Sequence, residues 1–353
     1  MTQVIRKHRD SNLELFRIIV MLSIIAHHYV VNSGVWTAIR ANGPTTNSLF
    51  YYLFGMWGKT GINCFVLITG WFMCTSRITF RKFLKLLLEI EFYRIGIGIV
   101  FLLLGKQTFS WEWVLSALPV RSIKTGFVSS FLMFWLFIPF LNILVRNMSR
   151  KEHLGLIGLF LFIYTFLGTV PGFSVTMNYV SWFCALFFVS SYMRLYDFPF
   201  KNSFKAWLAL SVGCILISAL SVIVILFSGK SFHPYWFVSD SNKFMALLTS
   251  ICLFNCFRTL RLPYSKFVNI LGATTFGVLL IHAHSDTMRH WLWVDLFDNV
   301  GHLASSSYAV RAISIVLLIF IVCAGIDYLR IVLLEKPLFA FYDKRVGLKG
   351  TEK

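Results

Sequence analysis

Ten long apolar segments, separated by short polar stretches, constrain this chain more than any other feature of its sequence. They lie near 13–34, 49–74, 83–104, 127–145, 153–170, 178–195, 205–228, 241–257, 267–284 and 309–334. Each has about the 17–25 residues that an α-helix needs to cross a bilayer. Hydrophobic residues make up 57% of the 353 residues and charged residues only 14%, against about 25% in soluble domains. We therefore predict an all-α, polytopic membrane helix bundle of about ten transmembrane helices, forming one domain over residues 1–353.

The basic residues are distributed between these segments and do not form one patch. The net charge of +18, taken alone, would suggest a nucleic-acid partner, but this distribution argues against one. Most Lys and Arg residues follow the even-numbered segments or lie at the two termini, and positively charged loops stay in the cytoplasm. We therefore expect a multi-pass protein of the cell membrane with both termini cytoplasmic. The first segment contains Glu14 and Arg17 and lacks a small-residue cleavage site, which indicates a retained span and not a signal peptide.

The seven cysteines are scattered through the apolar segments without any CxxC spacing. This pattern is typical of packing thiols, so we predict neither a disulfide framework nor a metal site. No linker or soluble module interrupts the apolar pattern. Any chemistry must therefore use groups in the spans and the short loops.

Arg17 and His28 lie in the first apolar segment, where a charged side chain costs roughly 2.5–3.5 kcal/mol to insert. Eleven residues of α-helix turn through about 1,100°, so the two side chains lie on one stripe, about 16 Å apart along the axis. His27 is rotated off this stripe by about 100°. Arg17 can bind a phosphate or carboxylate that arrives from the cytoplasm, and His28 can take a proton from a hydroxyl deeper in the membrane. The alternatives are a snorkelling arginine, paired with Glu14 three residues earlier, and a buried structural histidine.

Two further polar groups and one glycine-containing segment lie in or beside the apolar segments. Glu91 and Arg94 are three residues apart and can form an internal ion pair, or hold a cofactor or another arginine. His282 and His284 are two apart, so on a helix they point to different sides, which argues against a shared metal ion. His282 remains a candidate for handling a polar substrate at the outer mouth. The glycines of GKTGINCFVLITGWFMC, residues 58–74, permit close packing of helices.

Three of these segments resemble the signatures of one enzyme family, the acyltransferase-3 membrane acyltransferases. ELFRIIVMLSIIAHH resembles the opening signature of that family, an arginine followed after ten residues by a histidine. GINCFVLITGWFM resembles its second-span signature, and FGVLLIH resembles a late segment close to YGIYLIH. Many members also carry a paired-arginine RxxR motif after the second span. Here the stretch reads RITFRKFLK, in which Arg77 and Arg81 are four residues apart and Lys82 follows.

The resemblance implies transfer of an acyl group, usually acetyl from acetyl-CoA, to a hydroxyl of a cell-envelope glycan. It associates Arg17 with the acyl donor and makes His28 the essential catalytic residue. We expect the donor phosphates to meet Arg17 and also Arg77, Arg81 and Lys82. His28, with its imidazole neutral, would act as general base or carry the acyl group itself. Acyl-CoA is then a substrate, and we expect no permanently bound cofactor.

Two other classes of function fit the same sequence. Intramembrane charges and about ten spans also fit a transporter or flippase for an envelope lipid or solute, although the sequence shows no convincing broken helices or inverted repeat. A noncatalytic member of the family would bind acyl-CoA or glycan without turnover. The tryptophans of the outer loops fit an interfacial aromatic belt or a surface on which sugars stack.

Overall fold

The computed structural model describes residues 10–41, 43–116, 118, 126–173, 175–229 and 232–346, and within these ranges it contains helices and no strand. The first eight helices are α1 (Ser11–Val31), α2 (Val35–Ala41), α3 (Thr46–Gly55), α4 (Gly58–Met73), α5 (Phe80–Leu103), α6 (Trp111–Ser116), α7 (Phe127–Asn147) and α8 (Arg150–Phe160). The next five are α9 (Leu167–Thr169), α10 (Tyr179–Leu195), α11 (Phe204–Phe227), α12 (Phe244–Thr259) and α13 (Lys266–His282). The last three are α14 (Asp286–His290), α15 (Tyr308–Arg330) and α16 (Lys336–Arg345). Three π-helical turns, Leu161–Phe166, Trp291–Leu296 and Ile331–Glu335, adjoin α8, α14 and α15.

The all-helical prediction is confirmed, and every one of the ten predicted segments coincides with a helix or a broken helix. Five helical stretches among the described residues are long and apolar enough to cross a membrane, and a sixth counts if a bent pair forms one span. The five are Ser11–Val31, Phe127–Asn147, Arg150–Thr169, Phe204–Phe227 and Tyr308–Arg345. The remaining predicted segments are shorter, interrupted or more highly charged. The number of ten spans and the cytoplasmic termini therefore stay predictions.

Two of the helical segments are broken, which the sequence did not reveal. The α3–α4 segment is interrupted at Met56 and Trp57, and the chain bends by 94° between α13 and the stretch Asp286–Leu296. Non-helical backbone at membrane depth must find hydrogen-bond partners inside the protein. Both breaks lie beside the end of α1, which is where the candidate site forms.

Helix α1 lies at the centre of the bundle and packs against α3, α4, α12, α13 and α15. The predicted close approach of glycines to a neighbouring helix is confirmed at Gly58, where a Cβ atom would lie 2.2 Å from Cγ of His27. Asn63 fixes α4 to two other parts of the molecule, because its Nδ2 donates to the Ser241 carbonyl at 2.7 Å and its Oδ1 accepts from Trp182 Nε1 at 2.9 Å. The N-terminal end of α1 is called the Arg17 end of the bundle below, and the opposite end is called the His28 end.

Candidate active site

The candidate site is a pair of histidines from two helices that end side by side. His28 lies in the last turn of α1, and His282 is the last residue of α13, where the chain bends away. His28 Nδ1 and His282 Nε2 are 3.0 Å apart, and the two ring centroids are 5.1 Å apart. His282 is buried, at 1% exposure, whereas His28 is partly accessible. The structure therefore brings together two residues that the sequence had treated separately.

The hydrogen bonds of His282 determine which nitrogen of each ring carries a proton. His282 Nδ1 lies 2.6 Å from the carbonyl oxygen of Val278, which can only accept, so this nitrogen is the donor. In a neutral His282 the Nε2 atom is then the acceptor, and His28 Nδ1 must donate to it. We assign these protons from the hydrogen-bond partners. The Nε2 atom of a neutral His28 is therefore left with its lone pair, which is the form that a general base or nucleophile requires.

His27 is occupied by a structural contact. Its Nδ1 lies 2.5 Å from the carbonyl oxygen of Gly55, at the end of α3 where the helix is broken. The last turn of a helix leaves carbonyls without intrahelical partners, and the His27 N–H satisfies one of them. The prediction that His27 and His28 point in different directions is confirmed by their different partners.

Charged residues surround the histidine pair at the His28 end of the bundle. Lys59, in the first turn of α4, donates to Tyr179 Oη at 2.6 Å and lies 3.4 Å from Asp240 Oδ1. Tyr179 Oη in turn donates to Asp240 at 3.2 Å. Lys59 and Arg289, the latter on α14, are both near enough to act electrostatically on the His28 imidazole. Both cations also pair with carboxylates, Lys59 with Asp240 and Arg289 with Asp286 at 2.7 Å, so these carboxylates offset part of their attraction for a negative charge beside His28.

Arg17 lies on the same continuous helix as His28, as predicted, so about 16 Å of helix rise separates them. The predicted pairing with Glu14 is also present, with 3.9 Å between Arg17 Nε and Glu14 Oε2. The Glu14 side chain packs against Gly272 of α13, where a Cβ atom would lie 2.4 Å from its carboxylate oxygen. The Arg17 end of α1 is thus joined to the helix that supplies His282 at the other end.

The three basic residues expected to meet the donor phosphates lie together where α4 turns into α5. Arg77 is exposed, and its carbonyl oxygen accepts from Lys82 Nζ at 3.0 Å. Arg81 makes two hydrogen bonds to the carboxylate of Asp343 on α16, at 2.7 and 2.8 Å. Its guanidinium also lies 5.0 Å from the centre of the Phe339 ring. Arg81 therefore has a structural partner that the sequence did not predict, and its role toward a donor stays a prediction.

Glu91 and Arg94 have different surroundings. Arg94 Nη1 donates to the carbonyl oxygen of Leu118 at 2.6 Å. Glu91 lines a cavity of about 480 Å³ between α5 and the C-terminal helices. The two charges still act electrostatically on each other, and their proposed supporting roles stay predictions.

Arg330 was not singled out from the sequence, yet it is the centre of a buried charge network. It lies 3.1 Å from Glu89, 2.7 Å from Asp327 and 2.9 Å from Glu335, and it is only 7% exposed. The Asp327–Arg330 spacing of three residues inside an apolar segment is the signal that could have found it. The network joins α5 to α15 beside the cavity that Glu91 lines.

The apolar helices and the histidine pair between them define a helical membrane protein with an imidazole site inside its bundle. The sequence model of the acyltransferase domain family (acyltransferase-3) matches residues 10–328. The chain therefore belongs to the acyltransferase-3 family. It is a membrane acyltransferase, and the acyl groups that it transfers are not aminoacyl groups. The resemblance predicted from the sequence motifs is thus confirmed. No curated protein and no solved structure matches the chain.

Proposed function

We propose that the protein transfers an acyl group, which we take to be acetyl, from acyl-CoA to a hydroxyl of a cell-envelope or exported glycan. The observation that carries this proposal is the Val278–His282–His28 hydrogen-bond chain, which leaves His28 Nε2 unprotonated. A second supporting observation is that Arg17 lies on the same helix at the opposite end. Donor and acceptor can then approach His28 from opposite ends of the bundle.

In the proposed reaction His28 Nε2 takes the proton of the acceptor hydroxyl while that oxygen attacks the thioester carbonyl carbon. The tetrahedral intermediate carries a negative charge on the former carbonyl oxygen, and the positive charges of Lys59 and Arg289 favour it. Collapse of the intermediate breaks the carbon–sulfur bond. The proton on His28 then passes to the departing thiolate, which gives free CoA and the O-acylated product.

A covalent route uses the same nitrogen atom. His28 Nε2 attacks the thioester carbonyl carbon, the carbon–sulfur bond breaks and CoA leaves as the thiolate. The acceptor hydroxyl then attacks the acyl carbon, the carbon–nitrogen bond breaks, and the hydroxyl proton passes by way of the released His28 Nε2 to the thiolate. The two routes differ in one measurable property. Protein incubated with labelled acetyl-CoA but no acceptor retains the label only if the covalent route operates.

We propose a glycan acceptor because aromatic and hydrogen-bonding groups are grouped at the His28 end. Trp36 stacks on His233, with 5.2 Å between ring centroids and 24° between ring planes, and it also packs against Tyr235 at 4.8 Å. Sugar rings bind to such surfaces through their apolar faces, while groups such as Asp240 and Lys59 can hydrogen-bond to hydroxyls.

Acyl transfer is tested with the full chain in nanodiscs, radiolabelled acetyl-CoA and glycan extracted from the envelope. We expect the wild type and His302→Ala, which removes an exposed loop histidine, to label the glycan. We expect His28→Ala to abolish labelling while it keeps the wild-type melting temperature. Full labelling by a folded His28→Ala variant would overturn the proposal. Mass spectrometry of envelope glycans from a deletion strain, with and without complementation, identifies the acceptor by loss of the acyl mass.

A transporter or flippase is the second candidate function, and the two broken helices favour it. Such a protein would move its substrate without acyl-CoA. Uptake of a labelled envelope lipid or solute into proteoliposomes, unchanged by His28→Ala and by removal of acyl-CoA, would support transport over acyl transfer.

A further inference from the structure

Two arginines lie against the ring of Trp71, near the end of α4, at the Arg17 end of the bundle. The guanidinium carbon of Arg194 is 4.6 Å from the centre of the Trp71 ring, and that of Arg258 is 5.2 Å from it. Arg194 is in the last turn of α10 and Arg258 in the last turn of α12, so three helices meet at one indole ring. Neither arginine was a candidate from the sequence.

The two arginines are called the Trp71 arginine pair here, and the hydrogen-bond partners of Arg258 are neutral. Arg258 donates to Asn255 Oδ1 at 3.1 Å and to the carbonyl oxygen of Lys201. Within the described part of the chain, neither guanidinium forms a salt bridge with a carboxylate. Because both lie against one ring, their centres are within about 10 Å of each other and repel. An anion bound between them would relieve that repulsion.

A purely structural role explains only part of this arrangement. A cation in the last turn of a helix interacts favourably with the helix dipole, and each guanidinium gains from its contact with the indole. An arginine can gain the helix-dipole interaction and a contact with an aromatic ring without lying close to a second arginine. Neither effect requires two arginines from different helices to meet at the same ring without a carboxylate.

The Trp71 arginine pair also lies beside the helix that carries the site. The side chain of Asn12, on α1, donates to the backbone carbonyl oxygen of Phe257 at 2.8 Å. Phe16 stacks on the Phe257 ring with 4.7 Å between centroids. These contacts join the end of α12, including Arg258, to the turn of α1 that contains Arg17. A ligand held by the pair would therefore lie beside the turn of α1 that contains Arg17.

We propose that Arg194 and Arg258 bind the phosphate groups of the acyl-CoA donor, with Trp71 holding the two guanidiniums in place. Guanidinium groups suit this task because their planar donors match phosphate oxygens in pairs. Arg194 is exposed, so phosphates can reach it from solvent, whereas the buried Trp71 stays beneath. This inference rests on the proposed function, in which the donor is acyl-CoA.

The test measures equilibrium binding of CoA, and of 3′-phosphoadenosine 5′-phosphate as a phosphate-bearing fragment, to the full chain in nanodiscs. We expect Arg194→Gln and Arg258→Gln each to weaken binding of both compounds by about tenfold or more. Arg146→Gln is the matched control, because Arg146 is an exposed arginine in the last turn of α7, and we expect it to bind as the wild type does. Arg194→Lys and Arg258→Lys keep the charge and should lie between wild type and Gln.

The outcomes separate this inference from the proposed function. If the wild type binds CoA and both folded Gln variants bind it equally well, the inference is wrong and the function stands. If the wild type does not bind CoA at all, the acyl-CoA function itself is wrong.

A lipid headgroup is the other source of phosphate at this end of the bundle, and the nanodisc composition distinguishes it. We expect the loss of CoA affinity in the Gln variants to be the same in phosphatidylcholine discs and in discs that also contain phosphatidylglycerol. If the variants differ from wild type only when phosphatidylglycerol is present, the pair binds lipid and the proposal is overturned.

Discussion

His28 Nδ1 and His282 Nε2 lie 3.0 Å apart, although 254 positions separate the two residues in the sequence. The contact joins the end of α1 to the end of α13, and the Val278 carbonyl orients the second ring. In the proposed mechanism His282 is a positioning residue: it keeps the proton of His28 on Nδ1 and leaves Nε2 available. This role can be separated from a purely structural one by comparing two substitutions.

Replacing His282 by alanine should lower kcat on the order of 100-fold, because His28 loses the contact that orients its ring. The KM for acyl-CoA should stay unchanged, since His282 lies at the opposite end of the bundle from Arg17. His282→Gln should retain much more activity, because an amide supplies both the donor for Val278 and the acceptor for His28. Initial rates and melting temperatures of both variants provide the check. Equal loss of kcat in the two folded variants would contradict the positioning role.

The sequence predicted the parts of the site that lie within one helix. Arg17, His28 and the Glu14 pair follow from helical periodicity, and α1 keeps all three as expected. Periodicity also separated His27 from His28, which the structure gives to different partners.

Contacts between distant segments could not be predicted from one sequence. The meeting of His28 and His282 depends on where α13 ends, and that end is set by a bend with no clear signal in the sequence. The break between α3 and α4 was missed because the residues on both sides are apolar and read as one span. The partner of Arg81 could not be predicted, because Asp343 lies 262 positions away in the sequence.

His27 and His28 should respond in opposite ways to alanine substitution. His27→Ala leaves the buried Gly55 carbonyl without its partner, which should cost about 1–3 kcal/mol of stability. The transfer rate per folded molecule should change little. Melting curves in one detergent, together with rates normalised to folded protein, test this. A His27→Ala variant that melts like the wild type but has lost its activity would contradict this prediction, because His27 would then be needed for the reaction and not for stability.

The Arg81–Asp343 contact predicts a stabilising role for an arginine that the sequence placed in the donor site. Arg81→Gln and Asp343→Asn should each lower the melting temperature only slightly, as expected for a solvent-accessible ion pair. If the ion pair is the whole role of Arg81, neither substitution raises the KM for acyl-CoA. The exchange Arg81→Asp with Asp343→Arg should recover part of the stability. If Arg81→Gln alone raises the KM and Asp343→Asn does not, Arg81 binds the donor as the sequence suggested.

The Arg330 network should be among the most sensitive points of the fold. Arg330→Met removes the cation that Glu89, Asp327 and Glu335 share, and breaking a buried pair by removing one partner costs about 3–5 kcal/mol. Glu89→Gln should cost less, because Arg330 keeps two carboxylates and Gln can still accept a hydrogen bond. The ratio of monodisperse to aggregated protein after extraction, and the melting temperature of what remains, distinguish the two variants. If Arg330→Met extracts and melts like the wild type, the network does not hold α5 to α15, and its carboxylates are then free for a role in the cavity beside Glu91.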